Sequence, residues 1–201
     1  MPIDSMQPVG RRERNKNDKL SRITAAAKEL FAQHGVGSVT TQQVADAADV
    51  ASGTVFLYAK TKAELLLLAQ NAEYAMALGE GVEEAAGKVE ILEALLALWL
   101  PIIKCNRKHV ENGRAYLREV LFGAGDEPNH KQALQLMLQT EAATAECLTR
   151  FLPIESAEAR VRAQLISAAT LLLLASPANV ELTLNQLENH LASQIKLAIG
   201  T

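Results

Sequence analysis

Apolar residues recur along this chain in steps of three and four, and no stretch holds the strict alternation of a strand. That rhythm predicts helices throughout. Leu20, Ile23, Ala27, Leu30, Phe31 and His34 form one core-facing stripe over about Asp18–His34. Gly35 and Gly37 end it, with His34 placed to cap rather than to ligate. A longer helix is expected from about Thr61 to Leu78, opened by Thr61 and Glu64 at capping-box spacing. Gly79, Gly81 and Gly87 among glutamates read as a polar break. Further helices are predicted over about Val89–Asn106, kinked at Pro101, and Lys108–Phe122, with a long one from near Pro128 to about Leu152. The last two span about Ser156–Ala175 and Pro177–Ile199, with Ser176 as cap and Pro177 at the first helical position.

Between the first and the longer helix lies the stretch around which the chain is organised, TTQQVADAADVASGTVFLYAKTKAEL at 40–65. Thr40 with Gln43 gives a capping box, and Val44, Ala45 and Ala48 share one face of a short helix. Asp49 and Val50 interrupt it. A second short helix follows from about Ser52 to Tyr58, opened by Ala51, Ser52, Gly53 and Thr54. Small residues at a helix start let its end press close to another surface, as a recognition helix does in the major groove.

Charge sharpens this picture. The net charge is −3, but residues 1–66 carry nine Lys/Arg against seven Asp/Glu, and the remainder is net acidic. Arg11, Arg12, Arg14, Lys16 and Lys19 make a basic arm ahead of the helix pair, a phosphate-seeking feature on an acidic chain. Residues 1–10 read as a solvated tail.

Residues 22–66 resemble the DNA-binding domain of the TetR family of transcriptional regulators. The resemblance rests on Phe31-Ala32 ahead of Gly35, on Thr40 ahead of Val44-Ala45, on Gly53-Thr54-Val55-Phe56 with Tyr58, and on Thr61-Lys62 with Glu64-Leu65. Ala51, Phe56 and Ala59 depart from the residues common in that family. The resemblance implies that Ser52 and Thr54 reach base edges, that Gly53 permits close approach, and that Phe56 touches a thymine methyl beside Leu57. It further implies phosphate contacts from Thr40, Thr41, Tyr58 and Lys62.

The two final helices carry seams. Val161, Leu165, Ala168, Leu172 and Ala175 step through the first; Val180, Leu184, Leu187, Leu191, Ile195 and Ala198 step through the second. Leu171–Leu174 add apolar residues on the other faces, more than one seam can bury. The resemblance implies that these helices pair with a second copy in a four-helix interface. The middle helices would then enclose a small-molecule pocket, with Trp99, Ile103, Tyr116, Val120 and Met137 as candidate walls. Tyr74 and Cys105 belong to the same apolar set, and His109, Arg114, Arg118 and Glu119 are candidate polar tips.

Other classes fit poorly. One Glu-x-x-His, at Glu127–His130 beside a proline, falls short of a di-iron bundle, and no phosphate-binding or hydrolase fingerprint occurs. Cys105 and Cys147 lack metal-site spacing and read as reduced thiols of a cytoplasmic protein. No run is long and apolar enough for a membrane span. The expectation is therefore an all-α regulator, not an enzyme, with no cofactor. It comprises a basic flexible arm at 1–17, a three-helix helix-turn-helix domain at 18–66, and a helical ligand-binding and dimerisation domain at 67–201. Its expected partners are a double-stranded DNA operator, a small-molecule effector and a second copy, forming a homodimer, with no membrane. The competing reading is a helical small-molecule-binding or interaction protein whose helix-turn-helix has degenerated.

Overall fold

The computed structural model describes residues 10–123 and 125–200. Among the described residues nine α-helices run in order: α1 (Arg11–Ser38), α2 (Thr41–Ala47), α3 (Ser52–Phe56), α4 (Lys62–Ala86), α5 (Ile91–Arg107), α6 (Val110–Phe122), α7 (Pro128–Phe151), α8 (Ser156–Ala175) and α9 (Leu184–Ile199). There is no strand among the described residues.

Helix α1 starts at Arg11, so residues 11–17 are helical where a flexible arm was expected; residues 1–9 lie outside the described residues. Residues 11–19 are solvent-exposed, and a helix that buries nothing carries no apolar stripe to announce it. The far end of α1 breaks at Gly35, whose φ of 75° suits glycine. The groups that this break frees find a partner on another helix. Asn112 of α6 donates from Nδ2 to Phe31 O at 2.7 Å and accepts from Val36 N–H at 2.7 Å. One buried amide thereby ties the end of the N-terminal unit to the rest of the chain.

Helix α4 continues through Gly79 and Gly81, where the sequence pattern suggested a break. Packing explains the glycine at 81, since a Cβ there would lie 2.2 Å from the carbonyl oxygen of Leu98. The α4–α5 contact is the most extensive in the fold, and Gly81 lets the backbones meet. Thr61 caps α4 by accepting from Glu64 N–H at 3.1 Å. Helix α5 runs through Pro101, which is buried.

Helix α8 has the predicted bounds, but α9 begins seven residues later than expected. Pro177–Asn179 form a 3-10 turn capped by Ser176, and Thr183 with Gln186 supplies a capping box for α9. Arg107 holds the intervening segment by donating to Val180 O and Leu182 O at 2.7 and 2.8 Å. The two seams then part company. Leu187, Leu191 and Ile195 of α9 are buried within this chain, which puts that seam on α5 and α8 rather than outward. On α8, Val161, Leu165 and Leu172 are exposed, Leu172 at 72%. The opposite face of α8, with Ile166, Thr170 and Leu173, is core. No helix among the described residues is long and apolar enough to cross a membrane.

Candidate nucleic-acid interface and neighbouring cavities

The helix pair α2–α3 is seated on α1 by buried side chains: Ile23, Ala27 and Phe31 from α1, Val44 and Ala45 from α2, Ala48 at the cap of α2, Val55 from α3, and Ala59 beyond it. Small residues at 45, 48 and 59 keep the three helices close. Both predicted ends of α2 are realised. Thr40 Oγ1 accepts from Gln43 N–H at 3.2 Å, while Gln43 Oε1 accepts from Thr40 N–H at 2.8 Å. Asp49 takes a positive φ of 50° in the turn after α2, a conformation that Asp tolerates better than most residues. Arg22 of α1 clamps that turn, donating from Nε to Ala48 O at 2.9 Å and from its guanidinium to the Asp49 carbonyl and carboxylate.

Helix α3 is thereby presented with its first residues and its tip outward. Gly53 is exposed, and a Cβ built there would meet nothing within 4 Å among the described residues. The fold itself does not require glycine at this position. Phe56 is 48% exposed and Leu57 82%, apolar side chains with no core to fill. Ser52 and Thr54 are half-buried, and Ser52 Oγ donates to Gln42 Oε1. Gln42, exposed on α2, escaped the sequence reading because a lone polar residue on a polar face carries no signal. Thr40 is exposed and Thr41 half-buried at the start of α2. Tyr58 donates its hydroxyl to Lys16 O at 3.0 Å, which joins the end of α3 to the basic start of α1.

Lys62 has a structural task that the sequence concealed. Its ammonium donates to Gly37 O at 3.0 Å and Val39 O at 3.1 Å, closing the carbonyl end of α1. An ammonium carries three N–H groups, so one stays available beyond these two bonds. Lys60, in the loop before α4, pairs with Glu127 at 2.7 Å; the hydrogen bond and the charge of Glu127 raise its pKa.

Two cavities flank the junction between this unit and the later helices. The larger, about 780 Å³, lies between Val36, Gly37 and Lys62 on one side and α6 with Ala175 and Val180 on the other. Arg114, Arg118 and Glu119, expected as polar tips, line it. The smaller, about 370 Å³, is bounded by Lys28, Phe31 and Ala32 of α1, Ala69, Gln70, Glu73 and Tyr74 of α4, and Cys105 to Tyr116 across the α5–α6 junction. His109 lines it. Of the predicted wall residues, Tyr116 alone reaches a described cavity. Trp99 and Ile103 are fully buried, Val120 is buried and Met137 half-buried. The reason is the place of α5, packed on α4, α6, α7 and α9 at once, which fills its apolar face with neighbours. The two cavities at the junction lie where α1 meets α4 and α6.

Electrostatics are most developed at the mouth of the smaller cavity. Glu73 sits between Lys28 at 2.5 Å and Lys108 at 3.4 Å. Partial burial works to raise its carboxyl pKa, but the Lys28 hydrogen bond and the two positive charges outweigh it, and the net shift is downward. Burial pushes Tyr74 up to about 12 and pushes the Cys105 thiol up as well, so both stay protonated near neutrality.

Residues 23–69 match the sequence model of the tetR family of bacterial regulatory proteins. None of the curated protein sequences is significantly similar to the chain. Among solved structures, a transcriptional regulator from Rhodococcus sp. Rha1 is similar over 90% of this chain and 96% of its own, with 22% identity and a TM-score of 0.67. Thermus thermophilus FadR, a TetR-family transcriptional repressor in complex with lauroyl-CoA, is similar over 89% and 92%, with 24% identity and a TM-score of 0.67. The fatty acid degradation regulator FadR from Bacillus halodurans is similar over 96% and 97%, with 17% identity and a TM-score of 0.63.

Proposed function

We propose that the chain is a TetR-family repressor that binds a palindromic operator as a homodimer and leaves it on binding a small, largely apolar molecule; the match of residues 23–69 to the tetR family and the shared fold support this. The observation that carries the DNA-binding part is the tip of α3. Gly53 faces open space, and Phe56 and Leu57 are exposed with nothing among the described residues to cover them. A duplex pressed against that tip accounts for all three. Ser52 and Thr54 would meet base edges, Phe56 and Leu57 thymine methyls, and Thr40, Thr41, Tyr58 and Lys62 the phosphates.

The exposed stripe Val161, Leu165, Ala168 and Leu172 supports a dimer through α8. A two-fold pair would set two copies of α3 about 34 Å apart, on successive major grooves. Control by a small molecule is supported by the cavities at the junction with the helix-turn-helix unit, and by the ligand-bound state of Thermus thermophilus FadR. An occupant there would favour one spacing of the recognition helices over another. A protein of this kind works in the cytoplasm.

Selection from a pool of random duplexes tests the DNA reading. Enrichment of a palindromic sequence that the protein shifts in a gel is the expected result. A pool that stays random through successive rounds overturns it.

A further inference from the structure

The smaller cavity combines features that no single role in the fold explains. Its floor carries Tyr74 and Tyr116, stacked with centroids 6.1 Å apart and planes 27° apart. Both hydroxyls are committed elsewhere, Tyr74 to Thr140 at 3.2 Å and Tyr116 to Asn71 at 3.0 Å. What the pair offers a guest is therefore its ring surfaces. At the mouth, Lys28 and Lys108 share the single carboxylate of Glu73, which leaves a local excess of one positive charge. Between floor and mouth, Asn106 lines the cavity. It donates from Nδ2 to Gly113 O at 3.1 Å, while its Oδ1 is buried without a hydrogen-bond partner among the described residues.

Each feature selects one part of a ligand. Stacked aromatic walls suit a flat ring, which gains from offset packing. Two ammonium groups with one carboxylate between them suit an anion at the opening. A buried carbonyl oxygen lacking a donor costs free energy until one arrives. The volume, about 370 Å³, lies within the usual range for small-molecule sites. We propose that this cavity is a binding site for small hydroxyaromatic carboxylates. The ring lies over Tyr74 and Tyr116, the carboxylate meets Lys28 and Lys108, and the hydroxyl donates to Asn106 Oδ1. The inference rests on the reading of a small-molecule-controlled regulator, and it replaces a largely apolar effector by an aromatic ring with an anionic edge, held at this site. One wall belongs to α1 and the others to α4, α5 and α6, so the guest touches both the DNA-binding unit and the helices behind it.

Calorimetric titration of the full chain without DNA tests the assignment, so its result is independent of operator recognition. The probes are 3- and 4-hydroxybenzoate, benzoate, phenol and benzylamine. At least one hydroxybenzoate should bind, with benzoate and phenol each about tenfold weaker because each leaves one polar partner unmet. The charge at the mouth gives a sharper test. Glu73→Gln removes the carboxylate that competes for the two lysines, and it should tighten hydroxybenzoate binding about fivefold. Lys108→Ala should weaken it by a similar factor. Both side chains sit at the cavity rim, and circular dichroism checks that the variants stay folded. Failure of both hydroxybenzoates to bind, tighter binding of benzylamine, or weaker hydroxybenzoate binding by Glu73→Gln overturns the proposal.

Discussion

At the scale of single residues, Gly53 separates the needs of the fold from those of DNA. Open space surrounds it, and it lies inside a helix, where alanine is favoured over glycine by about 1 kcal/mol. Gly53→Ala should therefore leave thermal stability unchanged or raised, while operator affinity falls. Retained affinity, measured by fluorescence anisotropy, would count against close approach at this point. Lys62 is the opposite case, a residue with two roles to disentangle. Lys62→Ala loses the bonds to Gly37 O and Val39 O, at a cost of about 1 kcal/mol of stability for a partly exposed site. A phosphate contact would show separately, as a slope of log affinity against log salt reduced by about 1. Lower stability with an unchanged slope would make Lys62 a helix cap and nothing more. The helix-turn-helix was legible in the sequence because Thr40, Gln43, Val44, Gly53 and Lys62 stand at fixed local spacings. The bonds of Lys62 to the end of α1 were not, since they join residues far apart in the chain.

At the scale of elements, helices that bury a stripe were easy to read and those that do not were misjudged. The bounds of α8 were evident in its apolar rhythm, whereas α1 extends to Arg11 without any apolar residue to mark it. Glycine was a sound guide at one place and misled at another. Gly35 breaks α1 as expected, while Gly81 lies within α4 because the carbonyl of Leu98 needs the room. The joint between α1 and α6 was hidden, for a buried asparagine has no periodic signature. Asn112→Ala would leave Phe31 O and Val36 N–H without their partner, at a cost of about 2–3 kcal/mol. A shift in the urea midpoint at constant slope would report this. A change within about 0.5 kcal/mol, the range of ordinary surface substitutions, would show that the joint bears little strain.

At the scale of the whole molecule, the chain buries part of its apolar surface in its own core and leaves part of it outside. The α9 seam is used internally, and the α8 seam is left outside. Leu172, 72% exposed, is thus the informative position. Leu172→Glu should leave the folded chain intact and give monomers by light scattering, with operator affinity lost alongside. A stable dimer carrying that glutamate would move the interface elsewhere. Sequence rhythm put one seam on each of α8 and α9, and more apolar residues on α8 than one seam can bury. Which of the two stayed outward depended on the packing of α5, a matter of three dimensions. The same holds for the two cavities that lie where α1 meets α4 and α6, since they are made by residues far apart in the chain.

Dimerisation and groove recognition meet in one measurement, hydroxyl-radical footprinting of the DNA flanking the protein's own gene and of any duplex enriched by selection. Two protected windows on one face of the duplex, about 34 Å apart and related by a two-fold, are the predicted result. Uniform cleavage, or a single window at protein concentrations that saturate the DNA, would contradict it.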